Sequence, residues 1–311
     1  MHRSTVKSRQ SQLCADGIPY SDFGGTGRDL TFLHANGYPP GCYTPLLRAL
    51  ATQEHTLAML MRPLWPGSPP EAISSWHVLS DDFLRFLSGR GLRKVIAIGH
   101  SLGAIVALRA ALAAPDRFTA LVLLDPVLMS KGRIRAWRLL RTLGVGHRLH
   151  AKIRGAYGRR RAFPDLEQAF QGYRRHAVFR HLSDAGLRAL IDGLTTPAEG
   201  GGYRLIYSPE WEARVYYTGV WNDWDLWNGL PALNVPALIV RGAYSDTFED
   251  VTSRAVRSVN TRIRTHTVAN ASHLVPLEQP SEVYQVVQRF LEDAAESRAA
   301  ALPPSARSSI G

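Results

Sequence analysis

The chain has 311 residues, 45% hydrophobic and 20% charged, which suits one large α/β domain with an insertion, or two small domains. No apolar stretch approaches the roughly 20 residues that cross a bilayer, and two cysteines, Cys14 and Cys42, are too few for a disulfide framework and lack metal-ligand spacing. A formal charge of +11 and a pI near 10 raise three partner classes: nucleic acid, an anionic membrane and an acidic substrate.

The first residues, MHRSTVKSRQSQLCA, are basic, Ser-rich and without an apolar block like that of a secretory signal. Residues 1–29 read as a leader with a frayed terminus, and the protein as cytoplasmic. From Leu30 strand and helix patterns alternate: LTFLHA, a helix around Tyr43 to Leu50, TLAMLM, a helix around Asp81 to Leu87, KVIAIG, a helix from Leu102 to Leu112, then ALVLLD. The rhythm resumes with PALIVRG, a helix near Glu249 to Val256, RIRTHTV and a last amphipathic helix from Ser281 to Ala295. This alternation predicts an α/β fold, a mostly parallel, doubly wound sheet with helices on both faces, over residues 30–126 and 231–296. Reactive groups in such a fold gather at the carboxyl ends of the strands. Residues 127–230 break the rhythm with helices and aromatic-rich loops, among them Trp137, Tyr207, Trp211, Trp221, Trp224 and Trp227. An insert between two sheet strands sits above the strand ends as a helical cap. The tail, residues 297–311, reads as disordered.

The junction VIAIGHSLGA carries the chemistry. A G-x-S-x-G between a buried strand and a buried helix forces the serine into a strained turn, and each glycine removes a Cβ that would strike a neighbouring element. The turn lifts the Ser101 hydroxyl to the carboxyl edge of the sheet. It leaves the Leu102 N–H at the positive end of the helix, available to an oxyanion; the alternative is a serine that only caps the helix.

A nucleophilic serine needs a base, and the base an orienting acid. Of eleven histidines, His273 in NASHLVPLEQP follows the strand RIRTHTV and so stands at the same edge as Ser101. His266 lies inside that strand, and His100 points elsewhere if the elbow forms. Two acids compete. Asp246, in AYSDTF after PALIVRG, fits the chain order serine, acid, histidine and is the expected partner; Asp125, which ends ALVLLD, is the alternative, otherwise a turn residue holding backbone N–H groups. Glu249 and Asp250 open a helix and answer to its dipole. A second oxyanion donor is expected from HANGYPPG, with the Asn36 N–H first and Gly37 second. Within YSPEWEARVYY, Trp211 is the expected wall of an acyl pocket, with a plain core role as the alternative.

The set HANGYPP, GHSLG, RGAYSD and SHLVPLEQP resembles the α/β-hydrolase superfamily from about Leu30 to Ala295, in its esterase, lipase and epoxide-hydrolase-like branch with a helical cap. The resemblance implies a Ser101, Asp246 and His273 triad, an oxyanion hole from the Leu102 and Asn36 N–H groups, no cofactor and no metal. Ala35 replaces a glycine common in that loop, and MRPLWPGS lacks the family's usual acidic residue and arginine-glycine turn. The serine nucleophile argues against epoxide-hydrolase and haloalkane-dehalogenase chemistry, which use aspartate there. The expected activity is hydrolysis of a carboxylic ester or related acyl compound; the alternatives are a carbon–carbon bond hydrolase of the same fold and a non-catalytic binding protein using the cap.

The charge is uneven: between Val127 and Leu230, 17 Lys and Arg stand against 9 Asp and Glu. The densest run, KIRGAYGRRR, has no regular aromatic interleaving and fits no nucleic-acid motif, so a solvated helical face is the reading, with weak membrane-surface contact as its partner-binding alternative. A small acyl compound is the expected ligand, and the oligomeric state is left open.

Overall fold

The structure, a computed structural model, describes residues 12–144, 151–219 and 223–301. The start of the expected leader, the end of the expected tail and Trp221 lie outside these residues. Short strands β1 (Gln12–Leu13) and β2 (Pro19–Asp22) precede the alternating units. These are β3 (Asp29–Leu33), α1 (Thr44–Leu50), β4 (His55–Met59), α2 (His77–Gly89), β5 (Val95–His100), α3 (Leu102–Ala113) and β6 (Phe118–Leu124). Then come α4 (Lys131–Thr142), α5 (Ala151–Tyr157), β7 (Ala162–Phe163), α6 (Leu166–Arg174), α7 (Asp184–Leu194), β8 (Thr195–Pro197), β9 (Tyr203–Leu205), α8 (Pro209–Thr218) and α9 (Trp224–Gly229). The chain returns through β10 (Ala237–Gly242), α10 (Asp250–Val259), β11 (Ile263–Val268), α11 (Val275–Glu278) and α12 (Pro280–Ala301).

Eight strands form one sheet in the order β1-β2-β4-β3-β5-β6-β10-β11, parallel from β4 onward, with β1 and β2 added antiparallel at one edge. The expected leader is thus partly sheet. Ile18 and Tyr20 are buried, and Tyr20 pairs with Met59, so this segment closes an edge that would otherwise expose unpaired backbone groups. The central strands are buried on both faces, and their period of two divides one core into two halves. Val95 and Ala97 of β5 pack on the side of α2 and α3, while Ile96 and Ile98 pack on the side of α1 and α12.

Strands β6 and β10 are parallel neighbours, and everything from α4 to α9 is inserted between them. The insert is not wholly helical. Strands β7, β9 and β8 form a small antiparallel sheet, too short to carry an alternating pattern in the sequence. Three of its helices begin at side-chain caps: Asp165 accepts from the Gln168 N–H, Ser183 from Gly186 and Ser208 from Trp211. The Trp76 indole donates to the Val215 carbonyl at 2.9 Å, and Arg109 of α3 meets Asp223 at 2.8 Å and Asp225 at 3.0 Å, fastening the insert to the core. Helix α12 runs to Ala301, past the expected end of order. Among the described residues no helix is long and apolar enough to cross a membrane.

Candidate active site

Ser101 stands between β5 and α3 with φ +55°, the left-handed region that an ordinary residue enters only under constraint. Close packing imposes the turn. A Cβ on Gly99 would lie 2.2 Å from the Gly103 carbonyl oxygen, and one on Gly103 would lie 2.1 Å from that of Leu33. The two glycines therefore bring β5, α3 and the end of β3 together around the serine, whose own N–H is tied to the Leu124 carbonyl at 2.9 Å.

The Ser101 hydroxyl lies 2.9 Å from His273 Nε2, and His273 Nδ1 lies 2.8 Å from a carboxylate oxygen of Asp125. A carboxylate only accepts, so Nδ1 carries the proton and Nε2 is free to accept from the serine hydroxyl. This order of hydroxyl, imidazole and carboxylate can pass a proton from serine to histidine while the acid stabilises the resulting imidazolium. Asp125 is fully buried, with φ +41°, and also accepts from the Ser245 hydroxyl at 2.6 Å and the Gly242 N–H at 3.0 Å.

Asp246 does not meet His273, which corrects the expectation from chain order. It is exposed, and its carboxylate accepts from the neighbouring Thr247 hydroxyl at 3.1 Å. The reason is local. Gly242 and Ser245 turn the loop after β10 so that two of its donors face Asp125, leaving Asp246 on the outer side of the turn. Asp125 reaches across the end of β10 to the loop after β11.

Of the two amides expected to face an oxyanion, that of Leu102 directly follows Ser101. Among the described residues neither the Leu102 nor the Asn36 N–H has a protein acceptor. The Gly103 contacts with the Leu33 and His34 carbonyls hold the loop after β3 against the first turn of α3.

The sequence matches the Alpha/beta hydrolase family over residues 32–286. The chain belongs to that family. Esterase YbfF of Escherichia coli (strain K12) is 22% identical over 226 residues, 73% of this chain and 78% of that protein. Among solved structures, E-2-(acetamidomethylene)succinate hydrolase superposes with a TM-score of 0.74 at 19% identity, covering 91% of this chain and 99% of that one. An M. tuberculosis esterase superposes with a TM-score of 0.67 at 23% identity, covering 90% of each chain. At these identities the solved structures share the α/β-hydrolase fold.

Several groups that the sequence did not single out hold this α/β-hydrolase site in place. His100 Nε2 donates to the His273 carbonyl at 2.8 Å, its Nδ1 accepts from the Tyr43 hydroxyl at 2.7 Å, and Tyr43 accepts from the Ala35 N–H at 3.2 Å. One buried relay thus joins the loop after β3, the elbow and the histidine loop. Burial drives the His100 pKa well below its ordinary value, with the nearby His273 adding to the effect, and pushes Tyr43 up, so both stay neutral. His34 is a second buried neutral histidine, lowered to about 4 by desolvation, with its Nε2 accepting from the Met61 N–H. Glu278 of α11 accepts from the Ser272 N–H at 2.6 Å and hydroxyl at 2.7 Å, pinning the residue before His273.

The insert reaches the site through Asn36. The Asn36 carboxamide donates to the Glu212 carbonyl at 3.0 Å and accepts from the Tyr207 hydroxyl at 2.8 Å, while Tyr216 also bonds to it. Arg159, paired with Glu212 and 2.9 Å from the Tyr173 hydroxyl, backs this contact. With Arg174 and Arg214 it is one of the insert's partly buried arginines, exceptions to the expectation that they face water, and its guanidinium is paired, as burial requires. Trp211 is buried in the main core cluster, and its indole donates to the Ser68 carbonyl at 3.1 Å, which fastens α8 to the domain. A cavity of about 240 Å³ lined by Cys42, Ser183, Leu277 and Glu278 touches neither Ser101 nor Trp211. Among the described residues no group of three His, Cys, Asp or Glu side chains is placed to hold a metal ion.

Proposed function

We propose that the protein is a serine hydrolase that cleaves a carboxylic ester or related acyl compound through an acyl-enzyme. Ser101 attacks the carbonyl carbon as His273 takes its proton; Asp125 holds the imidazole and stabilises its charged form; the Leu102 and Asn36 N–H groups receive the oxyanion. His273 returns the proton to the leaving group, and water, activated by the same histidine, releases the acid. The observation that carries this reading is the continuous hydrogen-bonded chain from the Ser101 hydroxyl through His273 to the buried Asp125, at 2.9 and 2.8 Å. The esterase relatives and the backbone strain at Ser101 support it. The cap reading of residues 127–230 is part of the proposal: the insert covers the strand ends, and Ser101 is 6% exposed beneath them.

The test combines a fluorophosphonate probe with a substrate panel. The probe should label the protein once, at Ser101, and Ser101→Ala should abolish both labelling and turnover of p-nitrophenyl butyrate. Labelling elsewhere, or turnover surviving in Ser101→Ala, refutes the nucleophile. Turnover of a dienol ketone in preference to every ester and thioester would move the reaction to carbon–carbon hydrolysis on the same residues. A folded protein inert to probe and panel would favour the binding-protein alternative.

A further inference from the structure

The proposed chemistry leaves the chain's basicity unexplained. Residues 126–164 contain 11 Lys and Arg and no Asp or Glu, so this segment carries a charge equal to the whole +11 and the rest of the chain is balanced. Helix α4 is its longest described helix. Lys131, Arg133, Arg135 and Arg138 are all exposed. Lys131 lies over the Trp227 ring at 5.6 Å and Arg135 over Trp224 at 5.3 Å, contacts that hold the cations without neutralising them. The Arg133 ion pair with Glu249 is an open surface pair, about half exposed on each side.

The helix is oriented against its own apolar residues. Ile134 is fully buried, whereas Leu139 is 59% and Leu143 64% exposed. At about 100° per residue, Gly132, Ala136, Leu139 and the following Leu143 form one stripe on the side opposite Ile134. Arg133 flanks that stripe on one side, Arg135 on the other. An outward apolar stripe between arginines, on a segment without acids, is the composition of a helix that lies in a lipid interface.

We propose that α4 docks the protein on an anionic lipid surface, with Leu139 and Leu143 entering the headgroup boundary and the flanking arginines facing lipid phosphates. A nucleic-acid backbone would satisfy the arginines but would set two leucines against a hydrated, charged surface. A second copy of this helix would bring like charges together. Docking itself requires no turnover and is independent of the proposed reaction.

The test uses wild type and Ser101→Ala in co-sedimentation with vesicles of phosphatidylcholine alone and of phosphatidylcholine with one quarter phosphatidylglycerol. Both proteins should bind the anionic vesicles at least about tenfold more tightly than the zwitterionic ones, and binding should fall by about tenfold or more between 50 and 300 mM salt. Leu139→Ser with Leu143→Ser should weaken binding about tenfold with little change in its salt dependence, since it removes apolar contact and leaves the charge. Arg133→Glu should weaken binding and flatten the salt dependence. All three positions are exposed, and unchanged circular dichroism melts would show that the variants fold. Equal binding to both vesicles, no binding to either, or leucine variants indistinguishable from wild type overturn the proposal. So does a single-stranded oligonucleotide binding more tightly than the anionic vesicles, or self-association that depends on the leucines.

Discussion

Asp125→Asn is the sharpest perturbation, because the three donors around this carboxylate differ in what they can yield. The Gly242 N–H is fixed backbone; the Ser245 hydroxyl can rotate; His273 can exchange one tautomer for the other. An amide has one accepting end. If its NH₂ faced Gly242, two donors would meet at about 3 Å, so the oxygen stays on Gly242 and the NH₂ turns toward His273. His273 must then accept at Nδ1 and carry its proton on Nε2, pointing at Ser101, where it can no longer act as a base. The loss of base and orienting charge together predicts a fall in kcat of about 10⁴, or about 5 kcal/mol. Stability should fall by only about 1–3 kcal/mol, the cost of one mispaired buried group. Asp246→Asn, at an exposed position, should change kcat by less than about twofold and stability by less than about 0.5 kcal/mol. Initial rates on p-nitrophenyl butyrate, paired with urea denaturation, separate the two effects. A reversed ranking in folded variants, or an Asp125→Asn enzyme retaining a tenth of its rate, would refute this geometry.

Tyr207→Phe removes the donor that Asn36 takes from the insert, and kcat should fall about tenfold with KM within about twofold, since the oxyanion amide is loosened and substrate binding is not; a rise in KM alone would make Tyr207 a substrate contact instead. Tyr43→Phe leaves the Ala35 N–H and His100 Nδ1 unpaired in a dry site, which should cost about 1–3 kcal/mol in urea unfolding and shift the His100 ring nitrogen resonances; an unchanged spectrum would break the relay. Burial holds the His34 pKa at about 4, below the 6.5 of an unfolded chain. Its contribution is therefore complete above about pH 6.5 and lost progressively as pH falls toward 4, by about 3 kcal/mol in all. His34→Gln should flatten that part of the stability profile, and an unchanged slope would show that His34 does not set it.

The sheet was legible because burial on both faces leaves a compositional trace. Each central strand, from LTFLHA to PALIVRG, is a short apolar run bounded by turn residues, and each is found in the sheet at that place. The edge was not. Gln12–Leu13 and Pro19–Asp22 are too short and too mixed to show a period, and Tyr20 is buried through pairing with β4 rather than through any local pattern. The small sheet of the insert escaped for the same reason, since two- and three-residue strands are defined by their partners.

Ser101 and His273 could be placed because each is fixed by its own neighbours: two glycines that cannot hold a Cβ, and a loop that directly follows a strand. The acid is fixed by residues far away in sequence. Asp125 and Asp246 both follow a strand, and chain order favours the second; what selects the first is the inward turn of Gly242 and Ser245. One sequence signal did point to Asp125. It is the last residue of ALVLLD, where every preceding side chain from Leu121 to Leu124 is buried, so its carboxylate enters a site that is dry before any partner arrives. A charge there is tolerated only with several donors, and a loop serine, a backbone amide and an imidazole supply them. Asp246 has no such constraint. An exposed carboxylate beside one threonine hydroxyl would be a poor orienting acid even within reach, because water would screen its charge and compete for the imidazole N–H. Burial therefore discriminates between the two acids more strongly than chain order does, and it follows from distance to the strand end: Asp125 comes directly after Leu124 of a buried strand, whereas Asp246 stands four residues past Gly242 of another.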